Sequence, residues 1–174
     1  MKHFVLFVLL LLSMSVAQAA PVMTVLERGY YQFTGGSERL ARPAVSSGYV
    51  TRGKAQLVKD TQRIPLQKGR LFGFRFRVDG IDRNVGVLPL ELVVVHPEMK
   101  KPDGSLSKGY HYNIDLKLTN GTVEDKAGYR LNEDFELVEG DWEFEFRFMN
   151  KTLLKQRFTT YRQDASSTIA VQEK

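Results

Sequence analysis

The sequence has no cysteine at all. That single absence excludes a disulfide framework, a thiolate zinc site, an iron–sulfur cluster and a thiol nucleophile. Histidine is nearly absent too: of three, His3 is the third residue of the sequence, leaving only His96 and His111 for acid–base or metal chemistry. No Gly-x-Ser-x-Gly elbow occurs, so an esterase-type nucleophile has no local signature. Gly35-Gly36-Ser37 lacks the Lys-Ser/Thr ending of a phosphate loop and reads as a flexible loop. No amphipathic stretch with helix caps is present. The longest apolar run, Phe4 to Leu12, is too short to cross a hydrocarbon core of roughly 30 Å as a helix.

That run has a different meaning. Lys2 precedes it, and Ala17-Gln18-Ala19 follows a short polar stretch, which is the arrangement of a secretory signal peptide cleaved after Ala19. Residues 1–19 are therefore expected to be a leader, residues 20–161 a single domain and residues 162–174 a flexible tail. The whole chain carries 25 basic and 20 acidic side chains, and removal of Lys2 leaves 24 against 20. A cysteine-free exported chain suits a bacterial periplasm, with secretion as the alternative.

The remaining pattern has period two. In Phe72-Gly73-Phe74-Arg75-Phe76-Arg77-Val78 the even positions are apolar and the odd ones glycine or arginine, as in a half-buried strand. Tyr110 to Leu118 repeats the pattern, and Trp142-Glu143-Phe144-Glu145-Phe146-Arg147-Phe148 is its cleanest instance. Leu88 to His96 is apolar in both phases apart from Glu91, the pattern of a strand covered on two sides. Leu26 to Phe33, Tyr49 to Val58 and Leu153 to Tyr161 are weaker strands, while Gly35 to Gly48 and Pro97 to Lys108 read as loops. About seven strands without helices make an all-β, antiparallel, immunoglobulin-like β-sandwich, with a closed barrel as the competing architecture. A three-residue turn at Met149-Asn150-Lys151 would set Phe148, Phe146, Phe144 and Trp142 against Thr152, Leu154, Gln156 and Phe158, and pair Glu145 with Lys155 and Glu143 with Arg157.

The stretch from Thr61 to Phe74 has the form T-x-x-I-P-x-x-x-G-x-x-F-G-F. Val95-His96-Pro97 follows, and then Phe135-Glu136-Leu137-Val138-Glu139-Gly140-Asp141-Trp142. This combination, over about Gly29 to Phe158, resembles a family of small exported proteins of Gram-negative bacteria known as domain of unknown function 3859. The resemblance implies a bacterial, immunoglobulin-like exported domain and carries no catalytic residues.

Parity disposes of several sites. His96 shares a phase with Leu88, Leu90, Leu92 and Val94, whereas His111 is out of phase with Tyr110 and Tyr112. The two imidazoles then face opposite sides, and neither a shared metal site nor any cofactor is expected. Glu143 and Glu145, the carboxylates spaced for a glycosidase pair, each gain a basic partner and form a charge ladder. The phenylalanines beside Arg75 and Arg77 point inward, so they cannot stack on bases, and nucleic acid is not an expected partner. What remains is a non-enzymatic domain binding an envelope protein or an acidic glycan. The candidate surface is Val87, Val93 and Val95, expected to be covered by the segment 20–26, the loop 35–48 or a partner, together with the basic Arg75 and Arg77. A glycan-binding module using Tyr30, Tyr31 or Tyr49 is the alternative, and a periplasmic hydrolase or metal-binding protein comes after it. N-terminal sequencing of the protein from a fractionated bacterial host should begin Ala20-Pro21-Val22; an intact Met1 in the cytoplasmic fraction would refute export.

Overall fold

The alternating aromatic segment forms strand β8 (Gly140–Phe148), with Trp142, Phe144 and Phe146 wholly buried and charged side chains on the other face. The computed structural model describes residues 21–163; the leader and all but the first two residues of the tail lie outside the described residues. Eight further strands accompany it: β1 (Val22–Ala41), β2 (Tyr49–Asp60), β3 (Arg63–Pro65), β4 (Leu71–Asp79), β5 (Val87–Lys100), β6 (Leu106–Lys117), β7 (Val123–Arg130) and β9 (Lys151–Tyr161). They form two sheets, β2-β1-β4-β7 and β3-β9-β8-β5-β6, so the architecture is an open sandwich rather than a closed barrel. Neighbours are antiparallel except β3, which runs parallel to β9.

Period-two sequence dictates the packing. Phe72, Phe74 and Phe76 of β4 leave one sheet and meet Trp142, Phe144, Phe146 and Phe158 of the other. Their rings meet edge to face or tilted, Phe72 on Trp142 at 5.1 Å and Phe76 on Phe146 at 4.8 Å, arrangements favoured by the aromatic quadrupole. Arg75 and Arg77 point to solvent on the opposite face.

Two strands were not legible. The inward phase of β7 contains Asp125 and the small Ala127, so it carries little apolar signal, and the strand is held by a continuous ladder from Val78↔Val123 to Leu71↔Arg130. β3 has only three residues. Both expected loops are also shorter than expected, because strands run into them. β1 continues to Ala41 through a bulge between Phe33 and Ser37 that absorbs Gly35 and Gly36, leaving residues 42–48 as the loop. β5 continues to Lys100 through a second bulge between Val95 and Met99. Bulges keep ladder pairing on either side of extra residues, which composition alone reads as a break.

The β8–β9 register from Trp142↔Phe158 to Phe146↔Leu154 is as expected, as are the pairs Glu145↔Lys155 and Glu143↔Arg157. At the tip it differs. Phe148 opposes Lys151, and Met149 and Asn150, both at positive φ (48° and 62°), form a two-residue turn. Positive φ at both central positions is the hairpin geometry that matches strand twist. A bulge between Phe146 and Arg147 restores the inner register, so a two-residue turn does not force an apolar–basic mismatch.

Because Phe146 is fully enclosed, Phe146→Ala should destabilise by roughly 3–5 kcal/mol in denaturant melts, whereas the partly exposed Glu143→Ala should cost under about 1 kcal/mol. Equal losses would contradict the assignment of the two faces.

Candidate functional site

The β1–β2 hairpin outruns its sheet. β1 pairs with β4 only over Val22–Tyr31, and beyond Phe33 it is held by β2 alone. Its closing loop is compact, with Arg42 N–H donating to Gly48 O at 2.8 Å and Val45 N–H to Arg42 O at 3.0 Å. The loop buries Val45 and Ser46 against the far sheet. Ser46 Oγ lies 2.7 Å from His96 Nε2 and 2.8 Å from Ser107 Oγ, and His96 Nδ1 lies 2.7 Å from Pro97 O. A carbonyl only accepts, so Nδ1 carries the proton and Nε2 accepts from the Ser46 hydroxyl. The Ser107 hydroxyl can then donate to Ser46. Burial holds the imidazole below its ordinary value, and its ring packs 5.0 Å from Trp142.

A serine hydrogen-bonded to histidine has the outline of a hydrolase pair, but its setting is structural. Ser46 and His96 are 5% and 4% exposed, and a backbone carbonyl, rather than a carboxylate, orients the ring. The pair pins the hairpin of one sheet to the bulge of the other.

A second buried polar knot lies on the other side of Trp142. Glu136, in the 3-10 turn Asp134–Glu136, has no exposed surface. Its carboxylate accepts the Tyr129 hydroxyl at 2.6 Å and the backbone N–H groups of Asn132 at 2.5 Å and Glu133 at 2.8 Å. Burial nevertheless moves the carboxyl upward from its ordinary range. The Tyr129 ring packs tilted against Trp142 at 4.8 Å, so this knot and the His96 pin bracket one indole.

Between them a shallow cleft of about 50 Å³ opens, walled by Tyr49, Thr51, Tyr110, Tyr112, Tyr129 and Arg130. Tyr110 and Tyr112, two apart on the edge strand β6, hold their rings parallel within 4° at 6.1 Å. Arginine guanidiniums sit over neighbouring rings: Arg39 over Tyr49 and Arg42 over Tyr112 at 4.4 Å, and Arg130 over Phe33 at 5.2 Å. Tyr49 donates to Glu133 Oε1 at 3.0 Å and ties the rim to the Glu136 turn. Thr51 Oγ1 is buried with no hydrogen-bond partner among the described residues.

The residues singled out from sequence distribute differently. Val87, Val93 and Val95 lie on the outer face of the β5 sheet and Arg75 and Arg77 on the outer face of the other, so they do not form one surface. Val93 is half-buried between His111 and Glu145. The segment Val22–Leu26 pairs with β4 in the opposite sheet, and the 42–48 loop closes on the inner side, so neither expected chain segment covers the valines. Around them runs a charged ladder. Glu143 pairs with Lys155 and Arg157 at 2.7 Å, Glu145 with Arg147 at 2.8 Å, and Glu91 with His111 at 2.9 Å. Hydrogen bonds from Arg147 and Thr152 outweigh burial and hold the Glu145 carboxyl down to about 2. His96 and His111 face opposite sides, as parity requires, although a bulge intervenes. Tyr31 lies on an outer face, and Tyr30 packs toward the core beneath Arg70. Of the three candidate tyrosines only Tyr49 reaches the cleft. Sequence reasoning missed Tyr110, Tyr112, Tyr129, Arg39, Arg42, Arg130 and Glu136, because the cleft arises only when the hairpin folds onto β6 and β7.

The pin has a pH signature. A histidine whose folded value is depressed takes its proton first in the unfolded chain, so its contribution is complete above pH 6.5 and is lost as pH falls below it. Glu136, raised in the fold, works in the opposite direction, so comparison with a variant isolates the histidine. From pH 7 to pH 5 the wild-type melting temperature should fall relative to His96→Gln. Ser46→Ala should cost about 1–3 kcal/mol at pH 7. Parallel pH profiles for wild type and His96→Gln would refute the pin.

An immunoglobulin-like protein from Pseudomonas aeruginosa matches at 22% identity over 83% of this chain and 99% of that one, with a TM-score of 0.56. Partial likenesses to a Pseudomonas fluorescens alkylpurine DNA glycosylase bound to DNA containing an abasic site analog (10% identity, 59% of this chain, 28% of that one, TM-score 0.37) and to a Listeria innocua β-glucosidase in complex with glucose (11%, 64%, 17%, 0.39) carry no argument. No curated protein matches the sequence. The family model described as "Domain of unknown function (DUF3859)" matches residues 19–160. With that match over most of its length, this chain, an immunoglobulin-like β-sandwich, belongs to the DUF3859 family.

Proposed function

We propose that this chain is an exported, non-catalytic binding domain of the bacterial envelope that engages an anionic component through the arginine–tyrosine cleft. One observation carries the reading: Arg39, Arg42, Arg52 and Arg130 surround the cleft, and none of them forms an ion pair with a carboxylate among the described residues. Glu38 opposes Arg52 in register without reaching ion-pair distance. Elsewhere the acidic side chains of β5 and β8 are spent on the outer ladder. Unneutralised guanidiniums on a rigid aromatic base attract a negatively charged partner and orient it. Burial of the Ser46–His96 pair supports a binding role over hydrolysis. The leader supports export.

Photo-crosslinking residues introduced in place of Arg39, Arg75 and Val93 in the exported protein compare the cleft with the two outer faces. Adducts with an anionic envelope component should form at position 39, diminish as ionic strength rises, and be weak at 75 and 93. Adducts confined to position 93 would place the partner on the valine face instead and refute the cleft as the docking site.

A further inference from the structure

Resting on the reading of the chain as a binding domain, we propose that the cleft takes the carboxylate of a uronic-acid residue in an acidic polysaccharide, with the sugar ring laid on Tyr112.

Size comes first. A cleft of about 50 Å³ holds a few waters at roughly 10–15 Å³ each, so it takes a group of carboxylate size and leaves the rest of a ligand outside. Donor chemistry agrees with size. Thr51 Oγ1 is buried in the wall and unpartnered, and the Tyr110 and Tyr112 hydroxyls stay protonated because burial raises both. Arg130 is in the wall, and Arg42 lies over Tyr112, another residue of the wall. Arg130 Nε donates to Gly69 O, which leaves its terminal N–H groups and the Arg42 fork to match the two oxygens of a carboxylate.

The aromatic geometry selects a sugar as the carrier of that carboxylate. Tyr110 and Tyr112 stack with their rings parallel within 4°, which holds the Tyr112 face rigidly in the wall. The electron-rich face of a tyrosine attracts the positively polarised C–H groups on one side of a pyranose. In the unliganded arrangement Arg42 covers Tyr112, so binding exchanges a guanidinium on the ring for a sugar and moves that guanidinium onto the carboxylate. A simple polyanion lacks the ring that makes the exchange favourable. An acidic peptide presents its carboxylate on a flexible stem with no face to stack.

Titration calorimetry and amide chemical shifts test this with oligogalacturonate, its methyl ester, inorganic polyphosphate and phosphatidylglycerol vesicles. Oligogalacturonate should bind and shift the amides of Thr51, Tyr110 and Tyr112. The methyl ester, which keeps the ring and loses the charge, and polyphosphate, which keeps charge without a ring, should each bind at least about tenfold more weakly. Thr51→Val and Arg42→Gln should weaken oligogalacturonate by about tenfold, and Arg83→Gln, on an exposed loop away from the cleft, should leave it unchanged. Thermal melts establish that the variants fold, and Arg130→Lys, which keeps the charge and loses the fork, provides an independent variant. Equal binding of polyphosphate or of vesicles, no binding of oligogalacturonate, or insensitivity to all three cleft substitutions would overturn the assignment. If oligogalacturonate fails while crosslinking at position 39 still captures an anionic component, only the ligand class is wrong; if position 39 captures nothing, the binding-domain reading falls with it.

Discussion

The aromatic seam between β4 and β8 is the contact on which every other feature depends. Phe72, Phe74 and Phe76 meet Trp142, Phe144, Phe146 and Phe158 across the sandwich, and each of the seven is at most 1% exposed. Aromatic side chains bring the largest apolar area per residue, and a chain without disulfides has to obtain its stability from such burial. Because the residues alternate strictly, the same seam forces arginines and glutamates onto the outer faces. The charged ladder of Glu143, Glu145, Lys155 and Arg157 is thus a consequence of the core and not a separate design.

Trp142 marks where the seam stops being purely apolar. Its indole lies against His96 on one side and Tyr129 on the other, and each leads into a buried hydrogen-bond network. Both networks are satisfied: Ser46, Ser107 and Pro97 O partner the imidazole, and Tyr129 and two backbone amides partner Glu136, as most buried polar groups require. The satisfied groups come from distant parts of the chain. Ser46 is 50 residues from His96, so the bond fixes where the long hairpin lands. That landing creates the cleft, sets Arg39 and Arg42 on tyrosine faces, and leaves their charge without an acidic partner.

The two outer faces contrast with the cleft. On the β5 face basic and acidic groups neutralise one another pairwise around Val93 and leave little net field there. At the hairpin, cations sit on aromatic rings that stabilise them without neutralising them. A surface of the first kind resists association with charged partners, and one of the second kind favours it.

Strand identity, facing and the inner β8–β9 register were legible in the amino-acid order, because period-two burial is a local property: Phe144 and Glu145 must point apart whatever surrounds them. The opposition of His96 and His111 followed from the same parity. The bulges at Phe33–Ser37 and Val95–Met99 were not legible, since glycine and proline signal a loop and a bulge alike, and the surrounding ladder decides which forms. Strand β7 stayed hidden because Asp125 and Ala127 interrupt its inward row between Val123 and Tyr129, and only pairing with β4 makes it a strand. The tip of β8–β9 was misread because Met149 gives no local sign of adopting positive φ. Tertiary structure alone gathered Arg39, Arg42, Tyr49, Tyr110, Tyr112, Tyr129 and Arg130, which four different strands and one loop contribute. No periodicity within one segment encodes a site assembled by a hairpin crossing from one sheet to the other.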